Sequence, residues 1–253
     1  MTETFSSCRS EKLPVLAAVS SAMPAPALTS LRECCSTVVL LPPDPLLPAP
    51  TASHADMLLF AVGGALVAHR SYYAIARQEI DTILACTGLR LVLTDCPRGD
   101  RYPLDVALNA LFCGSFLFGR LNALAPEILS LADRAGIVPV PVRQGYAGCS
   151  GLAMGKTVIT ADPSLTHAAS ACGLDVISVP DKEILLPGYD HGFFGGCAGV
   201  WENTVFLCGT PVSAGYTVFL QQAALCGFTV RCLSSAPLYD CGGIKLFACR
   251  QPL

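Results

Sequence analysis

"HADMLLFAVGGALVAH" (residues 54–69), with "SYYAIARQEIDTILACTG" (71–88) and "LRLVLTD" (89–95) after it, decides the fold. The first segment is an apolar run, a Gly-Gly turn and a second apolar run, the pattern of a β-hairpin. The second has helical spacing and closes on Gly88, a residue suited to a left-handed helix cap. The third is short and apolar, as a buried strand is. Together they make one ββαβ unit.

The unit recurs. It reads again as "VALNALFCGSFLFGR", "APEILSLADRAG", "IVPVPV" (106–142), and as "SGLAMGKTVITAD", "PSLTHAASACG", "LDVISV" (150–179). A further copy is "AGVWENTVFLCGT", "GYTVFLQQAALCG", "FTVRCL" (198–233). Turn residues mark each hairpin tip at Gly63-Gly64, Gly114-Ser115, Gly155-Lys156 and Glu202-Asn203, and glycines close the helices at Gly88, Gly136, Gly173 and Gly227. The C-terminal "CGGIKLFACR" (241–250) supplies a first strand without a partner. The N-terminal "PVLAAVS", "APALTSLREC" and "TVVLLP" (14–42) lack one. Pairing these ends completes a fifth unit and removes exposed sheet edges. The expected fold is α/β, a five-bladed ββαβ ring in one domain, residues 1–253. Blades cover 54–96, 105–143, 149–180 and 197–235, and 13–42 plus 241–249 form the closing blade. Residues 1–12 read as a disordered start. A doubly wound sheet would place single strands between helices, not hairpins.

Composition narrows the partners. Charged residues make up 14% of 253 residues, net charge is −3, and no lysine–arginine cluster tracks a phosphate backbone, so nucleic acid is not an expected partner. Mean hydropathy is +0.53, but Asn109, Gly114 and Arg120 interrupt the longest apolar stretch, short of the roughly 18 residues of a membrane span. The fourteen cysteines lie scattered in apolar segments with no C-x-x-C pair. They read as small buried hydrophobes of a reduced, cytoplasmic protein, not as disulfides or a zinc site.

"RYPLDVALNA", "VRQGYAGCSG", "VITADPSL", "LLPGYDHGFFGGCAG" and "PLYDCGGI", spread in order over about residues 54–245, resemble an uncharacterised bacterial domain family described only by the pentein, or guanidino-group-modifying-enzyme, fold. In the wider superfamily, the resemblance implies, acidic side chains hold a guanidinium, a cysteine thiolate attacks it and a histidine shuttles protons. The chain departs from that pattern: after Gly242-Gly243, where catalytic penteins carry their nucleophile, it reads "IKLFACR", with Leu246 and Phe247 in that neighbourhood.

The residues just before each first strand are polar or reactive in a greasy chain: His54 and Asp56, Asp105 and Asn109, Cys149 and Ser150, Asp190 and His191, Asp240 and Cys241. Asp105 and Asn109, four apart, would face one side of a strand. Converging on one axis, these residues make a small acidic pocket. Cys149 and Cys241 are the candidate nucleophiles and His191, with His54, the candidate acid–base. Asp56, Asp105 and Asp240 would hold a cation, with Asn109, Ser150 and Asp190 lining the site. Each acid also reads as a turn residue bonding its own backbone. "SGLAMGKT" is no P-loop, because Ser150 stands where its first glycine belongs and a strand follows. No cofactor or metal is expected. Two functions fit: a ring that kept its pocket and binds a small cationic or amino-acid-like (guanidino) ligand, or a cysteine-dependent amidino hydrolase or transferase.

Overall fold

The computed structural model describes residues 13–250, so the expectation for residues 1–12 lies outside the described residues. The elements follow the repeat. The first group is β1 (Leu13–Ser20), α1 (Ala25–Cys34) and β2 (Cys35–Leu41). The second is α2 (Ala55–Leu58), β3 (Leu59–Val62), β4 (Ala65–His69), α3 (Arg70–Ile75), α4 (Arg77–Thr87) and β5 (Arg90–Thr94). The third holds β6 (Leu111–Cys113), β7 (Phe116–Gly119), α5 (Pro126–Arg134) and β8 (Val138–Pro141). In the fourth are α6 (Ala147–Ser150), β9 (Gly151–Met154), β10 (Thr157–Thr160), α7 (Pro163–Ala171) and β11 (Asp175–Ser178). The chain ends with β12 (Ala198–Trp201), β13 (Thr204–Leu207), α8 (Thr217–Leu225), β14 (Thr229–Cys232) and β15 (Lys245–Ala248).

These strands form five three-stranded sheets. In each, the first strand pairs antiparallel with the second, and the second pairs parallel with the third across a helical crossover. The sheet at the chain ends obeys the same rule with a borrowed strand: β15 pairs antiparallel with β1, from Val15 opposite Ala248 to Ala18 opposite Lys245, and β1 pairs parallel with β2. Gly63 and Gly64 carry positive φ at their hairpin tip (56° and 71°), and Gly88 does so beyond α4 (67°). A tight hairpin and a helix C-cap each need that conformation, which a Cβ penalises.

Apolar side chains on the two faces of each sheet fill the spaces between neighbours. Val15, Ala17 and Val19 join one core cluster with Val205 and Leu207, while Leu16 and Ala18 join another with Leu59 and Leu66. Alternation along β1 thus binds it to a different neighbour on each face. The free edges of all five first strands border one cleft of about 300 Å³, lined by Phe60, Leu111, Leu152, Gly199 and Lys245 among others.

Two expectations need correction. The helix expected over 71–88 is broken at Ala76, where φ −104° and ψ 34° leave helical space. The break lets α3 bury Tyr72, whose hydroxyl donates to the Pro42 carbonyl at 2.9 Å, while α4 buries Ile80 and Ile83. Residues 105–110 form turns rather than strand, so Asp105 and Asn109 do not share a strand face. Asn109 instead serves as a surrogate for backbone, as the site shows.

Candidate functional site

Three of the first strands are reached through tight helical turns. The single turn of α2 precedes β3, α6 precedes β9, and a 3-10 turn over Gly195–Cys197 precedes β12. A turn of this kind sends neighbouring residues in different directions. At the start of α2, the capping His54 lines a pocket while Asp56 points inward and is 1% exposed. In α6, Cys149 borders the same pocket, while Ser150 is buried with a hydroxyl that finds no hydrogen-bond partner.

That pocket, about 270 Å³, is lined by His54, Cys149, Asp190, His191 and Asp240, with Tyr146, Tyr189 and Phe193 as aromatic walls. Five sequence candidates therefore meet, from four of the five units. Asp240 is 1% exposed. Its Oδ2 accepts from the Phe193 amide at 2.9 Å and its Oδ1 from the Gly242 amide at 3.0 Å, with His54 Nδ1 3.7 Å away. Glycines make room for the carboxylate: a Cβ on Gly196 would overlap it. Burial pushes the Asp240 carboxyl up to about 6, with His54 pulling it down and Asp56 pushing it further up. Burial pushes His54 down, against the attraction of Asp240.

Cys149 sits over a polar floor. Asn109 Nδ2 donates to its sulfur at 3.0 Å and to the Asp56 carbonyl at 3.3 Å, while Asn109 Oδ1 accepts from the Gly148 and Cys149 amides at 2.7 and 3.2 Å. One side chain thus satisfies backbone groups from two distant segments. No hydrogen bond of good geometry reaches either Asp56 carboxylate oxygen, yet the Cys149 thiol and the Asp56 and Met57 amides lie close enough to favour the charged form; burial, the largest effect, raises that acid as well. The Cys149 thiol is held well above its ordinary value, first by burial and then by the charges of Asp56 and Asp240, with Asn109 opposing. Among the described residues no hydrogen bond joins it to either histidine. His191 Nδ1 lies 2.8 Å from the Gly192 carbonyl, which fixes that nitrogen as the donor.

The other candidates sit elsewhere. Cys241 is 1% exposed and packs in the core against Cys208 and Cys197, away from the pocket lining. Asp105 accepts from the Tyr146 hydroxyl at 2.5 Å, behind the aromatic wall rather than on it. Of the five that meet, Asp190 is the exposed one, at the pocket mouth. Tyr146, Tyr189 and Phe193 are the aromatic lining residues that the candidate set leaves out. Their signal is position, since each stands within three residues of a reactive candidate in "GYAGCSG" or "GYDHGFF". The paired phenylalanines divide the work: Phe194 packs in the core on Tyr216 and Phe219, and Phe193 faces the pocket.

Among the described residues no group of three or more His, Cys, Asp or Glu is placed to hold a metal ion, and no helix is long and apolar enough to cross a membrane.

Solved structures share this fold. One is DDAH from Pseudomonas aeruginosa, a cysteine-to-serine mutant complexed with citrulline: TM-score 0.54 at 12% identity, covering 86% of this chain and 90% of that one. Another is the agmatine deiminase of C. jejuni, with TM-score 0.53 at 8% identity over 92% and 93% of the two chains. A third is ArgZ, an arginine dihydrolase of cyanobacteria, with TM-score 0.53 at 14% identity. There the match covers 94% of this chain and 39% of that one. At such identities the likeness establishes the fold, and the fold is that of the penteins. No curated protein matches the sequence. Residues 18–245 match the group described as "Family of unknown function (DUF6873)", and the chain belongs to that family.

Proposed function

We propose that this chain is a single-domain pentein whose five sheets stand as blades of a closed ring, and that its acidic pocket binds a small cationic, guanidino-type ligand. The pairing of β15 with β1 and the shared cleft of the five first strands support the ring. The observation that carries the function is the pocket lining: two carboxylates, Asp190 and Asp240, beside aromatic surface, with no lysine or arginine among the lining residues. A carboxylate already fixed by backbone amides and screened from water is preorganised for a cation. The unpaired thiols of Cys149, Cys197, Cys208 and Cys241 suit a reducing cytoplasm.

A second reading has one observation in its favour: Cys149 opens onto the same pocket as His54 and His191. Thiol attack on an amidino carbon would use those groups. The raised thiol and its lack of a histidine partner favour binding without that chemistry.

The test is a thermal-shift and calorimetric titration with arginine, agmatine and citrulline. Agmatine and arginine should raise Tm in the wild type and not in Asp240→Asn. Absence of any shift with all three would end the cationic-ligand reading.

A further inference from the structure

The pocket's aromatic wall is one end of a longer row. Tyr102 and Tyr146 lie 5.7 Å apart between ring centroids, Tyr146 and Phe193 6.2 Å apart at 30°, and His191 meets Phe193 edge-on at 5.9 Å. The outer end already carries a guanidinium: Arg120 Cζ stands 5.1 Å over the Tyr102 ring while its Nη1 donates to the Tyr102 hydroxyl at 2.6 Å. The inner rings, Tyr146 and Phe193, carry no such contact among the described residues and line the pocket.

Tyr146 is set apart by its partner. Asp105 is 4% exposed, its Oδ2 takes the Tyr146 hydroxyl at 2.5 Å, and its Oδ1 is buried without a hydrogen-bond partner. A buried carboxylate with a single donor commits it to that phenol. The short bond fixes the ring's orientation and pushes electron density into it, which strengthens the ring face as a cation acceptor.

We infer that Tyr146 and Phe193 form the specificity wall of the pocket and that Asp105 is a positioning residue acting through Tyr146. Together they select a flat, delocalised guanidinium over an ammonium of equal charge. This rests on the cationic-ligand reading above. The 6.2 Å ring separation is too small for a cation between the two rings, which would need about 7 Å at ordinary contact distances, so the ligand lies against the wall. Asp240 supplies charge, which any cation satisfies. The ring face supplies the discrimination, because a guanidinium sheds water more readily than an ammonium and stacks flat.

The experiment titrates the full-length protein with butylguanidinium and with butylammonium, ligands of one charge and one tail, and reads the ratio of their Kd values. The wild type should prefer butylguanidinium by about tenfold. Tyr146→Leu should bring the ratio close to unity. Tyr146→Phe, which keeps the ring, should retain most of the preference, and Asp105→Asn should cut it by about threefold. If Tyr146→Leu fails to fold, Phe193→Leu carries the same expectation. A wild type that binds both ligands equally, or a ratio untouched by loss of either ring, overturns the inference and leaves the cationic pocket standing. A wild type that binds neither overturns both.

Discussion

Asp240 is where burial, charge and the proposed ligand meet, and replacing it with asparagine isolates one effect. The folded protein raises this carboxyl from 3.8 to about 6. An acid whose folded pKa exceeds its unfolded one holds its proton more tightly when folded, so it adds stability below about pH 4. That stability is lost as pH rises through about 6. Two pH units at about 1.4 kcal/mol each give roughly 3 kcal/mol between the limits. Asp240→Asn removes the titration but keeps an acceptor for one of the two amides, those of Phe193 and Gly242. The second amide then faces an NH2 group, an offset of about 1 kcal/mol that does not vary with pH. Denaturant unfolding of both proteins from pH 4 to 7 should therefore show the wild type losing about 2.4 kcal/mol relative to the variant as pH rises, with most of the change between 4 and 6. A difference that is flat over this range, or one that grows in favour of the wild type with rising pH, would refute the reasoning. The same linkage makes cation binding weaken below pH 6 by at most about tenfold per pH unit.

Gly196→Ala places a Cβ on the Asp240 carboxylate. It should cost about 1–3 kcal/mol and abolish the agmatine thermal shift, as measured by unfolding and titration on one preparation. At pH 7.5 a thiol-directed chloroacetamidine should label the exposed Cys226 and Cys232 at least about tenfold faster than buried Cys149. Rapid, single-site labelling of Cys149, read by peptide mass spectrometry, would instead favour the hydrolase or transferase reading. Ending the chain after Ile244 removes β15 and its pairing with β1. Unfolding should then lose its single cooperative transition, and a truncated chain as stable as the full one would count against closure.

How far the sequence carries can be traced residue by residue. The hairpins and helix ends are legible because Gly63, Gly64 and Gly88 answer a local demand, positive φ, that few other residues meet. The pairing of β15 with β1 is legible by counting strands, since one group has a strand too few and the C-terminus one too many. Asn109 escapes such reading. Its alternation with Asp105 assumes a strand, whereas its side chain bonds the Gly148 and Cys149 amides some forty residues on, a need no local pattern records. The polar residues before the first strands stand out against an apolar chain. Their separation into pocket-facing His54 and Cys149 and inward Asp56 and Ser150 depends on single helical turns too short to leave a period. Tyr146 and Phe193 are hidden for the opposite reason, because an aromatic in so apolar a sequence reads as core. Cys241 stands beside Asp240 in the chain, yet the turn at Gly242 sends its thiol to Cys208 instead.

The most direct test of the cationic pocket is a crystal structure of the protein soaked with agmatine at pH 7.5. The account predicts the guanidinium within hydrogen-bond distance of the Asp240 carboxylate and against the faces of Tyr146 and Phe193. Agmatine bound elsewhere on the molecule, with only solvent beside Asp240, would contradict it.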